Sequence, residues 1–224
     1  AYSFANSSDF EFEGDIGYFS NNMSRGISQS GDKPALLSSL KISQKDEGLH
    51  FRLAAGQFDN KSNPDTKETF EVSYDAGYKK NFEGFKIDTG LIYYHYPGIA
   101  SYVNYNFIEG YLDVSSSYKN LEFGNVAFIS SNNFNDSGKS LYYNIYAKYP
   151  VLPKIKLNMA IGYQEIEKGV PYGSDDYMDW QIGIDYDLIK NTVIQIFYTG
   201  NDVKDNFCGE ACGEKITIGL TFKI

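Results

Sequence analysis

The side chains in this sequence that could do chemistry are mainly carboxylates, and many of them recur at every second position. Glu11, Glu13 and Asp15 form one such run. In an extended chain, residues two apart share a face, so each run lies on one side of a strand. Basic side chains occupy the same faces. We therefore predict a charged face lined by Glu11, Glu13, Asp15, Lys41, His50, Arg52, Glu71, Asp75, Lys86, Asp88, Glu109, Asp113, Asp179 and Asp185.

Patterns that would indicate catalysis are weak. The two histidines are His50 and His95, and His95 lies near Ser101 in the sequence. A serine nucleophile needs such a base within hydrogen-bond reach, but no acid or amide that would orient the base is evident. A histidine in an interfacial aromatic belt is the preferred interpretation. We predict no enzymatic activity, no cofactor and no metal site, and the net charge of −9 argues against nucleic-acid binding.

Two cysteines stand four positions apart in the segment Cys208-Gly-Glu-Ala-Cys212. This short separation within a glycine-containing loop predicts a disulfide formed in an oxidising compartment. The chain opens with Ala1-Tyr2, without a basic segment followed by an apolar one. We interpret it as the mature form of an exported protein.

The elements that position these residues are β-strands. The last ten residues, 215–224, alternate apolar and polar side chains throughout, and a tilted strand of about 9–11 residues crosses a bilayer. No run of apolar residues reaches the length of a transmembrane helix. The alternation predicts twelve strands, at about 10–22, 34–44, 49–59, 69–80, 85–96, 104–118, 121–131, 140–149, 154–166, 177–187, 192–202 and 215–224.

The connections between the predicted strands alternate in length. Those after the even-numbered strands are tight, as in 45–48 and 150–153, whereas those after the odd-numbered strands are longer and polar. Outer-membrane barrels combine short periplasmic turns with longer outer loops in this way. We therefore predict an all-β fold with a single domain over residues 1–224. It is a transmembrane, up-and-down antiparallel barrel of twelve strands that closes between the first and last strands, with the charged face inward and both termini periplasmic. Closure would bring Lys215 and Lys223 of the last strand beside Glu11, Glu13 and Asp15 of the first strand.

Four sequence blocks carry a resemblance to a known family. They are Tyr18–Ala35, which contains Arg-Gly-Ile-Ser-Gln-Ser, then Tyr93–Gly98, Asn106–Tyr111 and Asp176–Trp180. In this order and over nearly the full length, they resemble the TorF family of porin-like proteins, also called Gcw_chp. The resemblance implies a barrel in the bacterial outer membrane with a channel role.

An acidic lumen predicts a channel for the passive diffusion of small hydrophilic solutes, with a preference for cations. The same charges could instead form an ion-paired lumen that only holds a narrow barrel together. A second alternative is a non-conducting barrel that acts as a surface interaction or adhesion protein. The expected partners are outer-membrane lipids, small solutes or cations, and the barrel assembly machinery, for a monomer or a homo-oligomer.

Arg25 lies where the first predicted strand meets its outer loop. Arginine can make bidentate contacts to a carboxylate. One hypothesis is that Arg25 folds this loop inward against a lumen acid and narrows the mouth. The alternative is that Arg25 pairs with lipid phosphates at the outer surface.

Overall fold

The computed structural model describes residues 9–59, 69–99, 101–169, 174–204 and 208–224. These ranges contain a closed antiparallel barrel of twelve strands and one small hairpin. The barrel strands are β1 (Phe10–Phe19), β4 (Ala35–Gln44), β5 (Gly48–Phe58), β6 (Thr69–Phe82), β7 (Phe85–His95), β8 (Phe107–Tyr118), β9 (Leu121–Ser130), β10 (Ser140–Leu152), β11 (Ile155–Ile166), β12 (Tyr177–Ile189), β13 (Thr192–Asn201) and β14 (Lys215–Lys223). The hairpin consists of β2 (Met23–Ser24) and β3 (Ile27–Ser28).

The barrel closes between its first and last strands. The residues Asp15 to Phe19 of β1 pair with Lys223 to Gly219 of β14, and β1 also pairs with β4 along its whole length. From β4 to β14, each barrel strand pairs with the next one along the chain. The predicted twelve-stranded, up-and-down barrel is thereby confirmed.

The outer surface of the barrel is apolar. Phe12, Leu40, Leu91 and Ile129 lie on four different strands and are 75%, 62%, 61% and 63% exposed. So large an exposed apolar surface is abnormal in water, whereas it matches the lipid-facing belt of a membrane barrel. None of the helical segments in the described ranges has the length and apolar character needed to cross a membrane.

The two ends of the barrel differ. At the turn end, which also holds Phe10 and Lys223, the connections after β4, β6, β8, β10 and β12 are short. Positive φ angles at Asp46, Lys119 and Asn191 allow tight turns there. The opposite end, which we call the loop end, carries the longer connections.

Some strand boundaries depart from the prediction. β1 ends at Phe19 rather than near residue 22, because the chain leaves the wall there and enters the β2–β3 hairpin. β10 continues through Pro150 to Leu152, where we expected a turn over 150–153. The register shifts between Pro150 and Leu152, and such a bulge accommodates a proline that cannot donate a ladder hydrogen bond.

Candidate functional site

Loop 1, residues 20–34, forms a folded hairpin between β1 and β4. Its tip is Arg25-Gly26, and both residues have positive φ angles, of 47° and 75°. A two-residue turn with two positive φ angles fits the twist of a hairpin. At the base of the hairpin, the Asn21 side-chain oxygen accepts hydrogen bonds from the hydroxyls of Ser28 and Ser30, at 2.7 and 3.0 Å. These bonds make loop 1 a compact unit.

The tip of loop 1 presses against the wall formed by β12 and β13. The Asn201 side-chain amide donates a hydrogen bond to the Gly26 carbonyl oxygen at 2.6 Å. A Cβ atom at Gly26 would lie 2.8 Å from the Asp179 Cβ and 2.9 Å from the Gly200 carbonyl oxygen. A glycine is therefore needed at this point by both the backbone conformation and the available space.

From this tip, the Arg25 side chain reaches across the barrel to β8 and β11. Its two terminal nitrogens donate to the two carboxylate oxygens of Glu109, at 3.0 and 2.7 Å, and one of them also donates to Gln164 Oε1 at 2.9 Å. The Arg25 Cζ lies 4.4 Å from the ring centre of Tyr142 and 5.1 Å from that of Phe128. We call Glu109, Phe128, Tyr142 and Gln164 the Arg25 cage. Loop 1 starts between β1 and β4, its tip is anchored on β12 and β13, and the Arg25 side chain contacts β8 to β11. Loop 1 therefore crosses the lumen.

Two more carboxylates near the cage are held by tyrosines. The Tyr96 hydroxyl donates to Glu71 Oε2 at 2.6 Å, and the Tyr142 hydroxyl donates to Asp179 Oδ1 at 3.2 Å. Burial, together with the charge of Glu71, raises the pKa of Tyr96 well above its ordinary value, so its hydroxyl remains a donor. The loop end of the lumen is thus filled by a bonded polar network.

Deeper in the lumen lies a group of aspartates, Asp75, Asp88 and Asp113, which we call the mid-lumen acidic cluster. Asp88 and Asp113 are directly opposite each other on β7 and β8. The Tyr111 hydroxyl lies 2.9 Å from Asp88 Oδ1 and 3.4 Å from Asp75 Oδ1. His50 Nε2 also lies 2.9 Å from Asp88 Oδ1. These contacts link the four neighbouring strands β5 to β8 inside the lumen.

The remaining predicted residues lie on the same inward face. Glu13 is opposite Lys41, Lys41 is opposite Arg52, and Arg52 is opposite Asp75, so that a charged row runs over β1, β4, β5 and β6. Toward the turn end, several charged side chains of this face are exposed, although His50 and Ser43 are buried there, whereas Glu109 and Asp179 at the loop end are buried. The exposed residues toward the turn end include Glu11, Glu13, Arg52 and Lys86. The lumen is therefore tightly packed at the loop end and carries exposed charged side chains toward the turn end.

The seam differs in one respect from what the sequence suggested. Asp15 of β1 faces Lys223 of β14, as expected for opposite charges at the closure. Lys215, which we expected beside the acids of the first strand, instead forms an ion pair with Asp32 of loop 1 at 3.0 Å. The reason is geometric, because β14 reaches the loop end at Lys215, while Glu11 and Glu13 lie at the turn end.

The aromatic and amide members of the cage were missed by sequence reasoning. Phe128 and Tyr142 face inward, although many aromatic side chains of the strands are exposed on the outer surface. The weak alternation of β9 was a signal, since Phe128 places an apolar ring on the polar face. Gln164 lies on the polar side of the alternation in its strand, but nothing in the local sequence connects it with Arg25.

Two other predicted features have defined positions. Cys208 and Cys212 form a disulfide in the connection between β13 and β14. His95 stacks on Tyr93 with ring centres 6.1 Å apart, and its Nδ1 lies 3.3 Å from Asn106 Oδ1. The side chain of Ser101 lies outside the described residues.

The closed barrel, its apolar belt and its charged lumen define a protein with the fold of outer-membrane porins. The solved structure of the porin NanC matches with a TM-score of 0.62 and 13% identity, over 96% of this chain and 100% of that one. The KdgM porin matches with a TM-score of 0.61 and 13% identity, over 94% and 98%. The COG4313 outer-membrane channel from Pseudomonas putida F1 matches with 0.58 and 9%, over 99% of each chain.

The chain belongs to the Gcw_chp family, because the model of that family, described as a bacterial protein of unknown function, matches residues 4–221. No curated protein matches the sequence. The solved structures show the fold of this chain alone, because their sequence identities are only 9–13%.

Proposed function

We propose that this protein is an outer-membrane channel through which small hydrophilic solutes diffuse, with a preference for cations. The observation that carries the proposal is the mid-lumen acidic cluster, in which Asp88 faces Asp113 directly. Like charges in opposite positions of a sheet cost stability. In a water-filled lumen with low-dielectric walls, they also concentrate cations. The porin role implied by the resemblance to the TorF family is part of this proposal.

The same proposal includes an orientation and an assembly route. Short turns are periplasmic in outer-membrane barrels, so the turn end would face the periplasm. The start of β1 at Phe10 and the end of β14 at Lys223 lie at this end. The closing strand β14 would be the segment that the barrel assembly machinery recognises. Lipids of the outer membrane would cover the apolar belt, around a monomer or a homo-oligomer.

The solute class follows from the charge of the lumen. A structure of the KdgM porin contains oligogalacturonate, which is a polyanion. Carboxylates at Asp75, Asp88 and Asp113 would repel such a chain, so we expect this channel to favour small cations instead.

The decisive experiment is the reversal potential of single channels in planar bilayers under a salt gradient. We expect a sign that indicates cation selectivity, and we expect Asp88→Asn together with Asp113→Asn to move the potential toward zero. The matched control is Asp46→Asn together with Glu47→Gln, which also removes two negative charges, at an exposed turn, and keeps at position 46 a residue suited to the positive φ of 58°. Anion selectivity of the unchanged protein would contradict the proposal.

Within this channel, we infer that Arg25 sets the constriction by holding loop 1 across the lumen. Replacement by Asn preserves the turn, because Asn-Gly is favoured where two positive φ angles are required, but the shorter side chain cannot reach Glu109. We expect the single-channel conductance of Arg25→Asn to rise by about twofold or more. Arg52→Ala, which shortens a lumen arginine with no role in anchoring loop 1, should give a smaller change.

A second candidate is a non-conducting barrel that acts through its outer surface. The observation in its favour is that loop 1 and the buried cage pack the lumen at the loop end. Bilayer recordings separate the two candidates. If both the unchanged protein and Arg25→Asn are silent at high protein load, the second candidate is the better account.

A further inference from the structure

The Arg25 cage has the groups that recognise a guanidinium ion. Glu109 presents both carboxylate oxygens to the two terminal nitrogens of Arg25, and the Gln164 oxygen is a third acceptor. The rings of Tyr142 and Phe128 lie 4.4 and 5.1 Å from the guanidinium carbon. Paired acceptors and aromatic faces suit a planar, delocalised cation.

The cage belongs to the barrel wall and not to loop 1. Its four residues lie on four consecutive strands, β8 to β11. Two of them have further bonds to the wall. The Tyr142 hydroxyl donates to Asp179, and the Gln164 amide nitrogen donates to the carbonyl oxygens of Leu141 and Glu165, at 3.3 and 3.1 Å. These bonds would keep the cage assembled if Arg25 were removed.

The burial of Glu109 favours a cation in the cage. The Glu109 side chain is 1% exposed and its ion pair with Arg25 measures 2.7 Å. A carboxylate so deeply buried is strongly destabilising once its partner is lost. A cation that restores both hydrogen bonds to Glu109 would therefore bind more favourably than a cation that only supplies charge. An ammonium ion is compact and cannot pair bidentately, so the geometry favours guanidinium over ammonium.

We propose that the Arg25 cage is a binding site for guanidinium-bearing cations and that Arg25 is its tethered occupant. Tethering gives Arg25 an effective concentration in the millimolar range or above, so free ligands compete poorly while loop 1 is in place. For transport, the inference rests on the proposed channel function, because a guanidinium-bearing solute that enters the lumen would meet this site whenever loop 1 withdraws.

The test uses Arg25→Asn, refolded in detergent, with methylguanidinium chloride as the ligand and methylammonium chloride as the comparison. The quantity measured is the melting temperature of the barrel. Unfolding is monitored by the change in electrophoretic mobility. If the dissociation constant is about 1 mM, then about 20 mM methylguanidinium should raise the melting temperature by roughly 4 °C. Methylammonium at equal concentration should raise it by far less.

Three control proteins locate the response. The unchanged protein should respond weakly, because its cage is already filled. Arg52→Ala removes an equal charge from the lumen but leaves Arg25 in the cage, so it should also respond weakly. The double variant Arg25→Asn with Glu109→Gln lacks the carboxylate and should lose the response. Equal effects of the two ligands on Arg25→Asn, or an equal response of Arg25→Asn and the unchanged protein, would overturn the inference.

Folding and conduction are tested separately. If Arg25→Asn does not refold alone, methylguanidinium during refolding should rescue it and methylammonium should not; failure of that rescue counts against the site. In bilayers, methylguanidinium should reduce the current through Arg25→Asn. A thermal shift without any channel current would uphold the cage and refute the channel, whereas current without a thermal shift would do the reverse.

Discussion

At the scale of the residue, the feature that matters most is the buried pair of Arg25 and Glu109. Two desolvated charges are costly, and the cost is offset only by excellent geometry with further hydrogen bonds. Here the bidentate contact and the Gln164 acceptor supply that geometry. The pair is therefore expected to specify where loop 1 lies more than to add net stability.

This view predicts strong coupling between the two residues. We expect Arg25→Asn to lower the free energy of unfolding by about 3 kcal/mol, because Glu109 is left buried without its partner. Adding Glu109→Gln should recover a large part of that loss, since the unpaired charge disappears. Urea unfolding of the single and double variants in lipid vesicles measures the coupling. Additive effects of the two substitutions would show that the pair does not act as a unit.

At the scale of the element, loop 1 is positioned by close contact of its tip with the wall. Gly26 has a φ angle of 75° and lies against Asp179, Gly200 and Asn201. Gly84 has a similar φ angle of 87°, but a Cβ there would meet nothing within 4 Å. Comparing substitutions at the two glycines therefore separates the effect of backbone strain from that of steric contact.

We predict that Gly26→Ala displaces loop 1 and that Gly84→Ala does not. Both substitutions carry the strain of a positive φ angle, but Gly26→Ala adds overpacking that costs about 1–3 kcal/mol more. Single-channel conductance should rise for Gly26→Ala and remain unchanged for Gly84→Ala. Equal conductance in the two variants would argue against anchoring of loop 1 at Gly26.

A second set of contacts at the loop end joins several of the longer connections. Asp136 accepts hydrogen bonds from the side-chain amides of Asn132 and Asn104, at 2.8 and 2.7 Å, and its carbonyl oxygen accepts one from Lys168. The bonds from Asn132 and then Asn104 lower the pKa of Asp136 below its ordinary value. The Asp136 carboxylate thus joins the connections that precede β8 and β10, and the Asp136 carbonyl oxygen adds a bond to the connection that precedes β12.

The direction of the pH dependence follows from this lowered pKa. The stabilisation is complete above the unfolded-state pKa of about 3.9 and is lost as the pH falls through the lower folded-state pKa. We expect hydrogen-exchange protection near Asp136 to fall with acidification over that range. Asp136→Asn, which tolerates the positive φ of 55°, should remove this step. A step of the same size in the variant would assign it to another group.

At the scale of the whole molecule, closure makes the interior a separate environment. Pairing of β1 with β14 is limited to five residue pairs, from Asp15–Lys223 to Phe19–Gly219. This is the shortest of the described barrel seams, and it joins the two ends of the chain. Closure removes the last free sheet edges, which a barrel in lipid cannot leave unpaired.

We predict that cysteines introduced at Ile16 and Phe222 can be crosslinked, because the two residues are opposite each other in the seam. Ile182 lies on the same outer surface but on β12, which is three strands away from β1 and its residue Ile16. The pair Ile16→Cys with Ile182→Cys is therefore the control and should not react. Migration on non-reducing gels distinguishes the two, and equal crosslinking would contradict the register.

The wall of this protein was predictable from its sequence to a large extent. Alternation over residues such as 215–224 defines the strands and their number, and the loop-length asymmetry distinguishes the two ends of the barrel. The strand boundaries differ from the prediction at Phe19, where the chain leaves the wall, and at Pro150, where a bulge lets the strand continue. A period of two carries this information because each residue's face depends only on its neighbours along the strand.

The arrangement of the lumen was decided only by the tertiary structure. Arg25 could be singled out as a candidate, but its partners Glu109 and Gln164 are 84 and 139 residues away in sequence. No local pattern encodes which inward-facing side chain meets which other one across the barrel. The sequence by itself thus determined a twelve-stranded wall with a charged inner face. Closure of that wall placed loop 1 against β12 and β13 and brought Arg25 to its cage, because contacts across an enclosed space depend on the register of every strand between them.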